Sequence, residues 1–144
     1  MTTVAEVMTP GVESTTSSQA LRDAARIMRE GDFGSMPVVD EGRLVGVLTD
    51  RDIVVRGVAE GLDPTVCRVG DVASRDPVTV TPDQDLDEAM ELMAHHRVRR
   101  LPVVSDGRLV GVISQADVAL GAKESKTGKV VEEISQPTSV ARGA

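Results

Sequence analysis

Two short segments of this 144-residue chain place a carboxylate three residues after a hydroxyl. Thr49 precedes Asp52 in the first segment, and Ser114 precedes Asp117 in the second. A carboxylate is purely an acceptor and can take hydrogen bonds from both hydroxyls of a ribose diol. A helix that starts at such a segment would also offer unpaired N–H groups and a positive dipole end to a phosphate. The two segments are therefore candidate sites for a small ligand that carries both groups.

The same spacing also has a purely structural interpretation. A hydroxyl followed three residues later by an acid, before an apolar helical run, is typical of a helix-capping arrangement. The two interpretations are compatible, because a cap can also present a binding site. Arg51 in the first segment adds a guanidinium that could reach a phosphate, although an Arg on a first helical turn is more commonly solvated.

The two segments belong to an internal duplication. Sliding the sequence by 65 residues aligns residues 4–53 with residues 69–118, and 17 of the 50 pairs are identical without a gap. The densest match joins residues 36–48 to residues 101–113. Two copies predict a pseudo-symmetric pair, because a solenoid needs at least three repeats.

Each copy predicts the element order β-α-β-β-α. Apolar residues at helical spacing indicate a first helix, for which Ser18 and Asp83 are the candidate N-caps. In the first copy, two apolar runs around a turn at Gly42 predict a β-hairpin. Gly46 in its second strand predicts the close approach of another backbone or of a ligand. Residues 50–60 then predict a second helix.

We also expect a short strand before each first helix, at residues 12–15 and 78–80. Four Met residues at core-like positions are expected to fill the core in place of aromatic rings. They are Met28, Met36, Met90 and Met93.

The fold class is therefore α+β, with two tandem repeats packed as a pseudo-two-fold pair. A single unit of roughly 50 residues could not easily bury both faces of its sheet alone. We expect the first repeat at residues 1–60, a connector at 61–70 and the second repeat at 71–120. Residues 121–144 fall outside the duplication and are either a mobile tail or a docking segment, with a short helix at 129–135.

Composition narrows the classes of function. The chain has 16 basic and 23 acidic side chains, a formal charge of −7, which disfavours binding to nucleic acid or to an anionic membrane. One Phe with no Tyr or Trp argues against base-stacking platforms. The single cysteine, Cys67, excludes an intramolecular disulfide and a Cys-rich zinc site. With neither a signal peptide nor an apolar run of the roughly 20 residues that cross a bilayer, a cytoplasmic protein is expected.

The one concentrated basic stretch is residues 95–100, with the sequence HHRVRR. It could hold the phosphates of a ligand, or it could be a solvated helix end whose charges suit the dipole. His95 and His96 are adjacent, so they diverge on a helix and do not form a chelating pair. The sequence predicts neither a metal site nor a catalytic residue.

Taken together, the repeats and three motifs resemble the CBS domain pair, also called a Bateman module. The motifs are VMTP at residues 7–10, MPVVDEGRLVGVLTDRDI at residues 36–53 and LPVVSDGRLVGVISQADV at residues 101–118. The resemblance covers about residues 4–120. It implies binding rather than catalysis, with adenine nucleotides or related adenosyl ligands held in clefts between the repeats. No cofactor is required; AMP, ADP, ATP and S-adenosylmethionine are the implied ligands.

The family's pattern assigns roles to the two segments. The Thr or Ser at the end of the second hairpin strand contacts phosphate, and the Asp three residues later accepts from the ribose hydroxyls. Apolar residues at the start of each hairpin could sandwich an adenine without stacking. The predicted site residues are Met36, Pro37, Thr49, Asp50, Arg51 and Asp52 in the first copy, and Arg99, Arg100, Leu101, Pro102, Ser114 and Asp117 in the second.

The resemblance thus implies a regulatory module that senses an adenosine-containing nucleotide. It implies a homodimer formed through the helical faces and an effector protein that receives the signal by population shift. The alternative is a module for dimerisation or protein interaction that binds no nucleotide. Neither alternative involves a membrane or nucleic acid.

Overall fold

The computed structural model describes residues 1–127, and for residues 122–127 it describes the backbone only. In that part of the chain the helices are α1 (Val4–Val7), α2 (Leu21–Gly31), α3 (Asp50–Asp52), α4 (Val69–Val72), α5 (Leu86–His96) and α6 (Gln115–Thr127). The strands are β1 (Ser35–Asp40), β2 (Arg43–Thr49), β3 (Ser74–Arg75), β4 (Arg100–Ser105) and β5 (Arg108–Ser114). The expected helix at residues 129–135 lies outside the described residues.

The contacts divide the chain into two compact units. The first, here called the central unit, is Glu13–Pro77 with Gly107–Leu109. The second, here called the outer unit, is Met1–Val12, Val78–Asp106 and the described residues from Val110 onward. Each unit therefore takes the short helix that precedes the other copy's main helix: α1 belongs to the outer unit and α4 to the central unit. The predicted repeat boundaries concern the duplicated sequence and stay predictions.

Tight turns join the two hairpin strands of each copy. Glu41 and Gly42 between β1 and β2 have φ of 53° and 82°, and Asp106 and Gly107 between β4 and β5 have φ of 51° and 78°. Two successive positive φ angles define the type I′ turn, whose twist matches that of the flanking strands. The predicted hairpins are confirmed in both copies.

The predicted N-caps of the first helices are wrong. α2 begins after Ala20, and α5 begins after Asp85, whose carboxylate accepts a hydrogen bond from the backbone of Asp87. The residues just before these helices are held by bridges to other segments, Ala20 to Arg68 and Asp85 to Thr3. The bridges keep the backbone extended, so each helix starts three residues after its predicted cap, Ser18 or Asp83.

Two further elements differ from the expectation. The second helix of the first copy is α-helical only in α3 and continues as a π-helix over Ile53–Val58. Its i+5 bonds include Ala59 N–H to the Val54 carbonyl, at 2.9 Å. The expected short strands at residues 12–15 and 78–80 are single parallel bridges, from Thr15 and from Val80.

Each unit has its own apolar core, built from equivalent positions of the two copies. In the central unit Leu21, Met36 and Leu48 are at most 2% exposed. In the outer unit the equivalent side chains are also buried: Leu86, Leu101 and Ile113. Met28, Met36 and Met93 are core residues as predicted, whereas Met90 is 46% exposed and its core assignment is wrong. The helical spacing places Met90 on α5 beside the buried stripe rather than within it.

The interior glycine of the second hairpin strand allows another backbone to approach. A Cβ added at Gly46 would lie 2.6 Å from the Ser74 carbonyl oxygen, and one added at Gly111 would lie 2.9 Å from that of Thr9. In the central unit, β3 pairs with β2 at this point. The close approach predicted at Gly46 is therefore confirmed, with a neighbouring strand as the partner.

Candidate functional site

The hydroxyl and the carboxylate of the first segment meet at the junction of β2 and α3. Thr49 Oγ1 accepts the backbone N–H of Asp52 at 3.0 Å, and Asp52 Oδ2 accepts the backbone N–H of Thr49 at 3.0 Å. This reciprocal pair is a capping box. The capping interpretation is therefore correct, and the cap fixes both groups that the ligand interpretation requires.

A third residue completes this arrangement in the central unit. The hydroxyl of Ser74 donates to the Asp52 carboxylate, at 3.2 Å from Oδ1 and 3.3 Å from Oδ2. Asp52 is only 8% exposed, so its charge is held by hydrogen bonds rather than by bulk water. Sequence reasoning missed Ser74; the glycine at position 46 signalled an approaching backbone but not which residue it would bring.

The outer unit repeats the arrangement. The Ser114 hydroxyl accepts the backbone N–H of Asp117 at 3.1 Å, and the Asp117 carboxylate accepts the backbone N–H of Ser114 at 3.1 Å. Asp117 is 5% exposed. Both copies thus hold a buried carboxylate at the start of the helix that follows the second hairpin strand.

The first N–H groups of α3 are already engaged. Asp50 N–H donates to the Gly34 carbonyl at 2.9 Å, and Arg51 N–H donates to the Asp50 carboxylate at 2.8 Å. Together with the bond from Asp52 to Thr49, these contacts leave the first turn of α3 no unpaired N–H for a phosphate. A phosphate here would be held by side chains: the Thr49 hydroxyl, which still has its proton to donate, and the exposed Arg51.

The four residues expected to flank an adenine lie deeper than their role requires. Met36 and Leu101 are 1% exposed and pack in the two cores. Pro37 and Pro102 are buried, and their carbonyls accept backbone N–H groups of the preceding segments, at 3.0 and 3.1 Å. These apolar side chains therefore pack inside the two units, and the carbonyls of the two prolines are used in backbone pairing.

A pocket of about 310 Å³ lies beside Ser74 in the central unit. Arg75 and Asp40 are its charged lining residues, and Gly46 lies on its strand side. Hydrogen bonds from the Ser17 hydroxyl, at 2.6 Å, and the Ser17 N–H, at 3.0 Å, hold the pKa of Asp40 below its ordinary value. The volume is at the lower end of the range for small-ligand sites. Arg75, Asp40 and Ser17 carry no motif that sequence reasoning could have used.

The basic stretch is divided by the structure. His95 and His96 end α5, their rings 4.8 Å apart and nearly perpendicular. Arg97 follows in the left-handed conformation, φ 56°, and Arg100 begins β4. The helix-end interpretation is thus correct for the two histidines. Arg99 lines a groove between α5 and α6, and its carbonyl accepts the backbone N–H of Gln115, the residue after Ser114, at 2.7 Å.

A capping box with a buried carboxylate follows each of two glycine-turned hairpins, so the chain is a tandem module with the same local geometry in both copies. The sequence pattern of the CBS domain matches residues 4–57 and 69–122. The chain therefore belongs to the CBS domain family and carries two CBS domains in tandem. It is 39% identical over 142 residues to hypoxic response protein 1 of Mycobacterium tuberculosis, covering 98% of this chain and 99% of that protein.

Solved structures agree with this assignment. One is hypoxic response protein I with two coordinated zinc ions: TM-score 0.76, 42% identity, 83% of this chain and 98% of that chain. Another is CBSX2 of Arabidopsis thaliana in complex with AMP: TM-score 0.75, 30% identity, 86% of this chain and 98% of that chain. CBS pairs of this kind are regulatory modules. Among the helices of residues 1–127, none has the length and apolarity needed to cross a membrane.

The zinc ions of that relative raise the question of whether this chain has matching ligands. Among the side chains that the structure describes, those of residues 1–121, no three from His, Cys, Asp or Glu lie close enough together to hold a metal ion. Burial, and then nearby Asp71, raises the pKa of the Cys67 thiol, which disfavours the thiolate that zinc requires. His95 and His96 belong to the other unit. The described residues do not fit zinc.

Proposed function

We propose that this CBS pair is a regulatory module that binds an adenosine-containing nucleotide at its two capping-box segments. Asp52 and Asp117 accept the ribose hydroxyls, and the hydroxyls of Thr49 and Ser114 contact phosphate. One observation carries the proposal: a buried carboxylate held beside a hydroxyl occurs at the same place in both units. The AMP complex of CBSX2 supports it, since that chain shares the fold.

The central site has the acceptor capacity that a ribose diol requires. A carboxylate has about four lone-pair positions. The Asp52 carboxylate uses one of them for the Thr49 N–H, and the Ser74 hydroxyl lies between its two oxygens. The remaining positions can accept the two ribose hydroxyls. That the ligand lies in a cleft between the repeats stays a prediction.

The central site is the stronger of the two sites. It has the exposed guanidinium of Arg51 on the first turn of α3 and the pocket beside Ser74. The equivalent of Arg51 in the second copy is Ala116, which offers no charge. The implied ligands AMP, ADP, ATP and S-adenosylmethionine all carry a ribose, and the first three also carry the phosphate that Arg51 favours.

A thermal-shift panel with these four compounds tests the proposal. A ligand at about 100 times its Kd adds about 2.7 kcal/mol to the free energy of unfolding, which is a shift of several degrees. We expect AMP to raise the melting temperature and 2′-deoxy-AMP, which lacks one ribose hydroxyl, to raise it less. If none of the four compounds shifts the melting temperature, the nucleotide proposal fails.

Substitutions then assign the shift to a site. Asp52→Asn and Asp117→Asn retain an acceptor for the cap but remove the charge that favours the ribose hydroxyls. Each is expected to weaken binding at its own site by about tenfold or more. Asp85→Asn is the matched control, because Asp85 is also a helix-capping carboxylate but belongs to neither segment. A shift that survives both site substitutions together would contradict the assignment.

One observation favours the alternative, a module for protein interaction without a nucleotide. Every capping contact at Thr49 and Asp52 is satisfied within the chain, as a purely structural cap requires. On this alternative, Asp52→Asn and Asp85→Asn lower stability alike, and no nucleotide distinguishes them. The same panel therefore separates the two functions.

We further infer that the module acts as a homodimer, that it is not a catalyst and that it passes its ligand state to an effector protein. A regulatory role needs a partner that responds to the ligand state of the two CBS domains. Light scattering gives the mass in solution, for which we expect two chains. A mass of one chain would contradict this part of the proposal, and nucleotide turnover would contradict the regulatory role.

A further inference from the structure

The tips of the two hairpins contact each other through the same three-residue sequence, Gly-Arg-Leu, at residues 42–44 and 107–109. The Leu44 N–H donates to the Gly107 carbonyl at 3.1 Å, and the Leu109 N–H donates to the Gly42 carbonyl at 3.3 Å. Both segments belong to the central unit, although most of the second hairpin belongs to the outer unit. The two segments together are called the clasp here.

The arginine of each segment covers the glycine of the other segment. The guanidinium of Arg108 lies beside Gly42, where a Cβ added to the glycine would be 2.8 Å from the Cζ atom of the arginine. Arg43 lies beside Gly107 in the same way, also at 2.8 Å. Arginine side chains can cover neighbouring surface with their apolar stems and planar ends. Each glycine therefore leaves the space that the opposite arginine fills.

The clasp is a small and weak joint. Arg43 opposite Arg108 is the single residue pair of the ladder between β2 and β5, two strands that the structure describes throughout. Both arginines are exposed, and like charges directly opposite each other weaken a ladder. Among the side chains of residues 1–121, neither arginine forms an ion pair. No residue of the clasp belongs to either apolar core, so packing of the cores does not by itself fix the clasp.

We propose that the clasp is a latch, which opens and closes as one unit while both apolar cores stay folded. Parts of a protein with few buried contacts open locally at a lower free energy than its core. The four contacts of the clasp are reciprocal, so that separation of the two segments breaks all of them together. The latch lies at the start of β2 and of β5, the strands whose ends carry Thr49 and Ser114. It is therefore built into the two strands that present the candidate site.

Amide hydrogen exchange of the full chain, followed by NMR, tests the latch without any nucleotide. Leu44 and Leu109 report on the latch, and both follow an arginine, so their rates compare directly. The equivalent residues Val39 and Val104 are the references, since their N–H groups donate to backbone carbonyls of their own units at 2.7 and 2.8 Å. We expect equal rates at the two leucines, at least about tenfold faster than at the references. Unequal rates at the leucines, or rates as slow as those of the references, would overturn the proposal.

A substitution in one turn then tests whether the latch opens as one unit. Gly42→Ala places a methyl where the Arg108 guanidinium lies, and we expect exchange at both leucines to accelerate by about tenfold. The matched control is Gly61→Ala, because Gly61 has a similar φ, 73° against 82°, and no described atom lies within 4 Å of its added Cβ. It introduces left-handed strain without displacing an arginine and should leave both leucines unchanged.

The reciprocal substitution, Gly107→Ala, should accelerate exchange at both leucines in the same way. If Gly42→Ala accelerates exchange only at Leu109, and Gly107→Ala only at Leu44, the clasp consists of two independent contacts and the latch is contradicted. Unchanged exchange at the two reference valines confirms that each variant keeps its folded cores. Because no step requires a ligand, the outcome is independent of the proposed function.

Discussion

The central and outer units repeat the same core positions, hairpin turns and capping boxes, but they differ in the charges exposed on α2 and α5. Their cores use equivalent positions, their hairpins use the same positive-φ turns, and both cap the following helix with a hydroxyl and a carboxylate. The buried positions are fixed by packing and by backbone conformation, which tolerate few side chains. The exposed positions of α2 and α5 are less constrained: Arg22 and Arg26 correspond to Asp87 and Glu91, whereas Asp23 and Glu88 are both acidic.

Truncation of buried side chains at equivalent core positions should have the largest effect on stability. Leu48→Ala in the central unit and Ile113→Ala in the outer unit should each lower the free energy of unfolding by about 2–5 kcal/mol. Both side chains are fully buried. Chemical denaturation measures the loss, and Met90→Ala, at an exposed position, should stay within about 0.5 kcal/mol. A large loss in only one unit would show that the two cores are not equivalent.

Adding a Cβ to the interior glycine of the second hairpin strand should have the next largest effect on stability. Gly46→Ala and Gly111→Ala bring a methyl against a backbone oxygen, which only a shift of the chain can relieve. We expect a loss of about 1–3 kcal/mol, larger at Gly46, where the oxygen is 2.6 Å away rather than 2.9 Å. Equal or negligible losses by thermal denaturation would contradict the close approach of Ser74.

Removal of the capping hydroxyls should have a smaller effect. Thr49→Ala and Ser114→Ala each leave one backbone N–H without its side-chain acceptor, at a cost of about 1 kcal/mol. Thr49→Ser and Ser114→Thr, which exchange the two residue types, serve as controls and should retain most of the stability. If the Ala variants are as stable as the wild type, the observed 3.0 and 3.1 Å contacts do not act as caps.

The smallest effect on stability depends on pH and concerns Asp40 of the central unit. Hydrogen bonds from Ser17 hold the pKa of Asp40 below its ordinary value of 3.8, and the equivalent of Asp40 in the second copy is Ser105. Because the folded state binds this proton less tightly than the unfolded chain, the stabilisation is full above pH 3.8 and decreases as the pH falls toward the folded pKa.

Ser17→Ala removes the hydrogen bond from the Ser17 hydroxyl to Asp40. The difference in free energy of unfolding between the wild type and Ser17→Ala should therefore become smaller as the pH falls. Denaturation at about pH 6 and at about pH 3 measures this change. Ser105→Ala provides the control without a titrating group and should show no such narrowing. A deficit in Ser17→Ala that is constant with pH would contradict the link between Ser17 and Asp40.

Local rules made the hairpins, the capping segments and the family predictable from sequence. The turn at Gly42 and the Thr49–Asp52 spacing are decided by neighbours within four residues. The helix starts were wrong because bridges from Arg68 and Thr3 fix the residues before α2 and α5. Pairings between residues far apart in sequence cannot be predicted from the spacing of apolar residues within one helix.

The same limit applies to the candidate site. The spacing identified Asp52 and Thr49, but the contact from Ser74 arrives from 22 residues away. The exposure of Met90 and the π-helix over Ile53–Val58 likewise depend on packing that hydrophobic spacing does not specify.

The most direct test of the central claim is calorimetric titration of AMP into the wild type, Asp52→Asn and Asp85→Asn. We expect saturable AMP binding to the wild type and to Asp85→Asn. In Asp52→Asn, we expect AMP affinity at the central site to fall by about tenfold or more. Equal AMP binding by Asp52→Asn and the wild type would contradict the assignment of the ribose to the Asp52 carboxylate.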